Sequence, residues 1–206
     1  MKNILLVTSS PRGKASFSTQ MAEELVEKFR SLSPDATVTL RDLDHSPLPY
    51  LSESLIQALH TPEGDRTEAQ ASAVVESDAL IAELREADTI VIASGLINFG
   101  IPATLKSWID HVTRSGITFR YTEAGPEGLL TGKKTYLVLA YGGVYSVGPM
   151  QSADFQGPYL KWMLGFLGLT DIEEVIVEGS VFGPEAAEQA LGRAHERVEA
   201  LAGATF

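Results

Sequence analysis

The sequence predicts an open α/β fold, a five-stranded parallel sheet with helices on both faces. Three observations predict it. Apolar runs of strand length recur along the 206 residues. Each is apolar throughout instead of alternating, as in strands buried on both faces. Segments of helical periodicity separate one run from the next.

Ile4 to Val7 is the first strand, and Ser18 opens an amphipathic helix carrying Met21, Leu25, Val26 and Phe29. Val38 to Leu43 is the second strand. Asp44 to Arg66 is irregular, with Pro47, Pro49, Pro62 and Gly64 around a short helical segment near Leu55 to Leu59. Thr67 with Gln70 three residues on forms a capping box and leads a helix through Val74, Leu80, Ile81 and Leu84. Thr89 to Ser94 is the third strand. Pro102 suits the first turn of the next helix, which carries Leu105, Trp108, Ile109 and Val112 and is expected to end at Gly116. Ile117 to Tyr121, a turn through Gly125, Pro126 and Gly128, and Leu129–Leu130 break the alternation as a hairpin-like insertion. Thr135 to Ala140 is the fourth strand. Pro158 to Leu167 is an apolar helix stopped by Gly168, Val175 to Glu178 the fifth strand, and Pro184 to Leu201 a final helix. Right-handed crossovers restrict the topologies, and the flavodoxin-like strand order 2-1-3-4-5 is the commonest match for five such strands.

Composition excludes several functions. With 16 Lys and Arg against 27 Asp and Glu, the formal net charge is −11, which disfavours nucleic acid and anionic membrane surfaces as partners. There is no cysteine, hence no disulfide, thiolate nucleophile or cysteine-ligated cluster. The four histidines lack ligand spacing, so no metal site is expected. No apolar stretch approaches the roughly 20 residues of a membrane span. A single domain over residues 1–206, in the cytoplasm, is the expectation.

In such sheets ligands bind beyond the carboxyl ends of the strands, where the strand order reverses. Three loops meet there. The first, from Ser9 to Ser18, runs into a helix and offers hydroxyls, N–H groups and a positive dipole end to a phosphate. Gly13 is its only glycine, so neither a dinucleotide fingerprint nor a Mg-ATP loop is present, and a monophosphate such as that of FMN remains. The same serines also suit an ordinary helix cap and loop filler. After the third strand, Leu96, Ile97 and Phe99 surround Asn98, a wall for a flat aromatic ligand or a turn packed under the hairpin. After the fourth, Ala140-Tyr141-Gly142-Gly143 lets backbone approach a ligand closely or simply turn.

Taken together, Ser9-Ser10, Ser16-x-Ser18, Asn98-Phe99, Gly142-Gly143, the run from Gly116 to Leu129 and Leu164-Gly165-Phe166-x-Gly168 resemble the FMN-dependent NADH azoreductases, also described as FMN-dependent NADH:quinone oxidoreductases. The run from Gly116 to Leu129 is the most specific. The resemblance covers nearly the whole chain and implies a flavodoxin-like homodimer with one FMN per subunit near the interface. It implies phosphate contacts from Ser10, Ser16, Phe17 and Ser18. Leu96, Ile97, Asn98 and Phe99 would lie along the ring, with Ala140, Tyr141, Gly142 and Gly143 at its polar end. Family members often have Met-Tyr at Leu96-Ile97 and Ser-Arg at Ala140-Tyr141, departures that bear on side-chain contacts there and on substrate preference.

The implied activity is reduction of quinones, and cleavage of aromatic azo bonds to amines, by a two-electron hydride relay from NADH or NADPH through FMN. No side chain is assigned as catalytic acid or base. The alternative is a flavodoxin-type single-electron carrier serving a partner protein. The irregular segment Asp44 to Arg66 and the hairpin favour the enzyme, since they add walls that a carrier would leave off.

Overall fold

The computed structural model describes residues 2–204; Met1 and the last two residues of the expected 1–206 unit lie outside the described residues. Thirteen regular elements alternate as expected for the class. They are β1 (Asn3–Thr8), α1 (Phe17–Leu32), β2 (Thr37–Asp42), α2 (Glu53–His60), α3 (Glu68–Glu86), β3 (Thr89–Gly95) and α4 (Ala103–Val112), then β4 (Phe119–Thr122), β5 (Gly125–Gly128), β6 (Lys134–Ala140), α5 (Gly157–Phe166), β7 (Asp171–Val177) and α6 (Pro184–Ala204). The parallel sheet has the order β2-β1-β3-β6-β7, the flavodoxin-like 2-1-3-4-5 once β4 and β5 are set aside as a separate antiparallel pair.

Residues that alternate along each central strand feed two cores. Leu5, Val7, Ile90, Ile92, Leu137 and Leu139 pack with Leu80, Leu84, Leu105, Trp108, Leu160 and Leu164 from α3, α4 and α5. Ile4, Leu6, Val91, Ala93, Tyr136 and Val138 pack on the opposite face with Leu25, Phe29, Ala194 and Val198 from α1 and α6. Both faces of β1, β3 and β6 are therefore dry, which is why their sequences do not alternate.

β2 departs from that rule. It is an edge strand whose apolar residues alternate with polar ones, and Val38 and Leu40 stay exposed. Other boundaries shift for local reasons. Ser16, not Ser18, caps α1: its backbone is extended and its Oγ accepts from Thr19 N, while Ser18 lies in the first turn. The Thr67–Gln70 capping box forms at α3. α4 stops at Val112, short of Gly116, because the Thr118 hydroxyl donates to Val112 O and accepts from Arg114 N, diverting the chain. The hairpin turns at Glu123–Ala124, and Gly125, Pro126 and Gly128 lie in β5, paired with β4. β7 starts at Asp171, earlier than its apolar residues show, and α6 continues to Ala204.

Candidate functional site

Register places the three loops together. Thr8 pairs with Ala93, Gly95 with Ala140, and Ala140 with Val177, so β1, β3, β6 and β7 end side by side. Between their ends lies a cleft of about 230 Å³, lined by Ser10, Pro11, Arg12, Ser16, Phe17, Gly95, Leu96, Ile97, Ala140, Tyr141, Gly142, Ser180 and Val181. Eight of the twelve residues singled out from sequence line it. Ser18, Asn98, Phe99 and Gly143 do not.

The first loop is held by its own hydrogen bonds. Ser9 Oγ donates to Ala93 O at 2.9 Å, fixing the loop to β3. Ser10 Oγ accepts from Arg12 N at 3.3 Å, and a 3-10 turn from Gly13 to Ala15 delivers Ser16 to the start of α1. Ser16 and Ser18 share a hydroxyl–hydroxyl bond of 3.0 Å and are almost completely buried. Hydroxyls beside a helix N-terminus, whose first N–H groups lack intrahelical partners, are the kind of donor set that suits an anion.

The second loop is strained. Asn98 and Phe99 have φ of 49° and 69°, and Ile97 and Gly100 exchange both backbone bonds, at 2.9 and 3.0 Å. This is the two-residue hairpin turn that requires left-handed backbone at both central positions. Asn tolerates that conformation. For an aromatic residue it costs on the order of 1–3 kcal/mol, and it persists only where neighbours enforce it. Phe155 N supplies such a tie by donating to Phe99 O at 3.1 Å. The turn projects Phe99 from the end of the sheet, with 48% of its surface exposed.

The third loop is held from β7. Val181 N donates to Gly142 O and Gly179 N to Gly143 O. Because a trans peptide sets the next N–H opposite each carbonyl, the N–H groups of Gly143 and Val144 point away from that segment. A Cβ at Gly142 would lie 2.9 Å from Val181 Cγ1, so this glycine serves a close approach within the protein. Glu178 accepts from Tyr145 N, at 2.8 Å, and from Ser146 N and Oγ. Burial works to raise its pKa, but those donors and Arg193 outweigh it and hold the carboxyl below its ordinary 4.5.

Tyr141 contributes backbone to the cleft, while its ring turns into the core and its hydroxyl donates to Asp154 Oδ2 at 3.2 Å. Burial, helped by Asp154, raises the pKa of that phenol, so it stays protonated. Asp154 also accepts from Gln156 N and Gly157 N at the start of α5.

Sequence reading missed Ser180 and Val181, which follow β7 and carry no motif; only the position of β7 beside β6 brings them to the cleft. Trp108 is buried, whereas Trp162 and Tyr121 are exposed at 66% and 73%. Among the described residues no cluster of His, Asp or Glu is arranged to hold a metal.

The donor set fits FMN: buried hydroxyls and a helix start for a phosphate, flat apolar walls from Leu96 and Ile97, and close-lying backbone at Gly142. Comparison with known proteins agrees. A family model described as a flavodoxin-like fold matches residues 2–202. The FMN-dependent NADH:quinone oxidoreductase 1 of Rhizobium etli is 54% identical over 202 residues, covering 98% of each chain, and that of Agrobacterium fabrum is 52% identical over the same length and coverage. Among solved structures, an azoreductase from Bacillus anthracis str. Sterne superposes with a TM-score of 0.90 at 34% identity, covering 98% of this chain and 99% of its own. An FMN-dependent NADH-azoreductase from Bacillus anthracis str. Ames Ancestor, in complex with FMN, gives 0.86 at 27% identity, covering 98% and 100%. The chain belongs to the flavodoxin-like family, among the FMN-dependent NADH:quinone oxidoreductases and azoreductases.

Proposed function

We propose that this protein is an FMN-dependent NAD(P)H:quinone oxidoreductase and azoreductase, working as a single FMN-binding domain. The observation that carries the reading is the cleft at the strand ends, where a hydroxyl-lined helix start faces apolar walls and a close-lying glycine loop. FMN, when bound, supplies the two-electron chemistry, and the protein supplies orientation, electrostatics and exclusion of water. Ser10, Ser16, Phe17 and Ser18 would take the phosphate. Leu96, Ile97, Asn98 and Phe99 would flank the ring system. Ala140 and Tyr141, with Gly142 and Gly143, would present backbone to its polar edge, where negative charge collects on reduction.

The same reading makes the molecule a homodimer. The cleft, about 230 Å³, lies open at the strand ends, so a second chain would add to its walls. On the hairpin and α5, Tyr121, Phe119, Phe166 and Trp162 form a ladder of ring contacts with centroids 5.6, 4.6 and 5.6 Å apart. Its two ends are largely exposed, the kind of apolar surface that a partner covers. No described helix is long and apolar enough to cross a membrane. A nicotinamide electron donor supports a cytoplasmic enzyme, since reduced nicotinamide nucleotides are generated there.

The direct test is spectroscopic. Purified protein should carry flavin absorbance that NADH bleaches and a quinone or azo dye restores, with no other protein present. Protein that cannot be reconstituted with FMN would end the reading. Turnover only with an added partner protein would support the electron carrier instead.

A further inference from the structure

The anion site described above is built entirely of neutral donors, in a protein of net charge −11. A phosphate monoester brings nearly two negative charges at neutral pH. Hydroxyls and a helix start can solvate it, but they leave the charge without a counter-ion. Arg12 is the one residue with a charged side chain among those lining the cleft. Its guanidinium carbon lies 5.6 Å from the centre of the Phe17 ring, and Phe17 is the residue whose N–H opens α1. Its own backbone N–H donates to Ser10 Oγ, which directs that hydroxyl's proton elsewhere and fixes the root of the Arg12 side chain beside the site. Lys14, the other cation of the loop, does not line the cleft.

We propose that Arg12 is the cationic clamp of the flavin site: it rests over Phe17 and moves onto the phosphate monoester when the cofactor binds. A guanidinium suits this task because its planar fork can take two phosphate oxygens at once, whereas an ammonium acts as a point charge. The ring of Phe17 holds the exposed cation in place in the meantime through the cation–π attraction. Arg12 thereby selects FMN over the unphosphorylated flavin. The inference rests on the FMN reading. The pyrophosphate of the nicotinamide nucleotide is the other source of the same chemistry, and position decides between them, since Arg12 shares its loop with Ser10 and Ser16.

Titration of flavin-depleted protein with FMN and with riboflavin, followed by quenching of flavin fluorescence, tests it. Arg12→Gln should raise the FMN Kd about tenfold and leave the riboflavin Kd unchanged, because only FMN carries the charge that Arg12 meets. Lys14→Gln makes the same change in net charge and should leave FMN binding within twofold. The FMN Kd of the wild type should also weaken more with added salt than that of Arg12→Gln, as screening predicts for a charge pair. Equal loss of FMN and riboflavin binding, or unchanged FMN binding, would overturn the clamp. So would an increased KM for NADH or NADPH with FMN affinity intact. Wild-type protein that binds neither flavin would instead sink the FMN reading itself.

Discussion

Phe99 is the residue at which structure and sequence pull hardest against each other. Its left-handed backbone, φ 69°, is one that an aromatic side chain pays for, and nothing in the fold's topology demands an aromatic there. Asn-Gly is the pairing such a turn favours, so Phe99→Gly would suit the backbone better. Relief of strain on the order of 1–3 kcal/mol, less about 0.5–1 kcal/mol for glycine's entropy, leaves a net gain of about 1 kcal/mol. In flavin-free protein the Tm should rise by about 3 °C, while on the proposed reading FMN affinity falls, because Phe99 would flank the ring. A lower Tm would show that the turn is not strained; retained affinity would show that Phe99 does not face the flavin. The sequence displayed Asn98-Phe99 as a chemical feature but not its strain, because φ depends on the Ile97–Gly100 pairing. Ser16 and Ser18 make the converse point. Both stand out in the sequence as candidate phosphate contacts, but which one caps the helix is decided by backbone conformation, extended at Ser16, and not by residue type.

At the scale of elements, two packing relations hold the hairpin and the loop after β6. Gly128 at the end of β5 meets the turn after α5 so closely that a Cβ would lie 2.1 Å from Gly168 N and 2.3 Å from Leu167 C. Backbone cannot give way there as a side chain would. Gly128→Ala should cost about 2–3 kcal/mol and lower the Tm by roughly 5–10 °C, with hairpin amides losing exchange protection before those of the main sheet. An unchanged melting curve would contradict this contact. Glu178 straps Tyr145 and Ser146, just beyond Gly142–Gly143, to the end of β7. Its folded pKa lies below the ordinary value, so its stabilisation is complete above the unfolded pKa and is lost as pH falls through the lowered one. Denaturant melts across pH should show wild type more stable than Glu178→Gln at neutral pH, with the gap closing on acidification. A gap that widened in acid would refute the strap. The central strands were legible because burial on both faces leaves no room for polar residues. The β2 edge was less so: an edge strand is half solvated, and Thr39 and Arg41 interrupt its apolar residues. The segment carrying Ser180 and Val181 was not legible at all, since its place in the site is a product of strand order.

For the whole molecule, the question is what stands against the open side of the chain. The hairpin and α5 supply one answer. Phe119 and Phe166 lie between Tyr121 and Trp162 in a row of touching rings, and Trp162 and Tyr121 then stand out from the surface at 66% and 73% exposure. A monomer gains nothing by exposing such a row, because each ring left in water forgoes on the order of 25 cal/mol per Å² of burial. A second chain against it recovers that term. Wild-type protein should therefore sediment at twice the 22.2 kDa of the chain. Trp162→Lys places a charge at one end of the aromatic row and should shift the equilibrium toward monomer, with loss of quinone reductase activity that rises in step with the monomer fraction. FMN should bind the monomer more weakly but still measurably, since the phosphate contacts belong to one chain. Monomeric wild-type protein with full activity would remove the need for a partner. An active Trp162→Lys dimer would place the interface on another face.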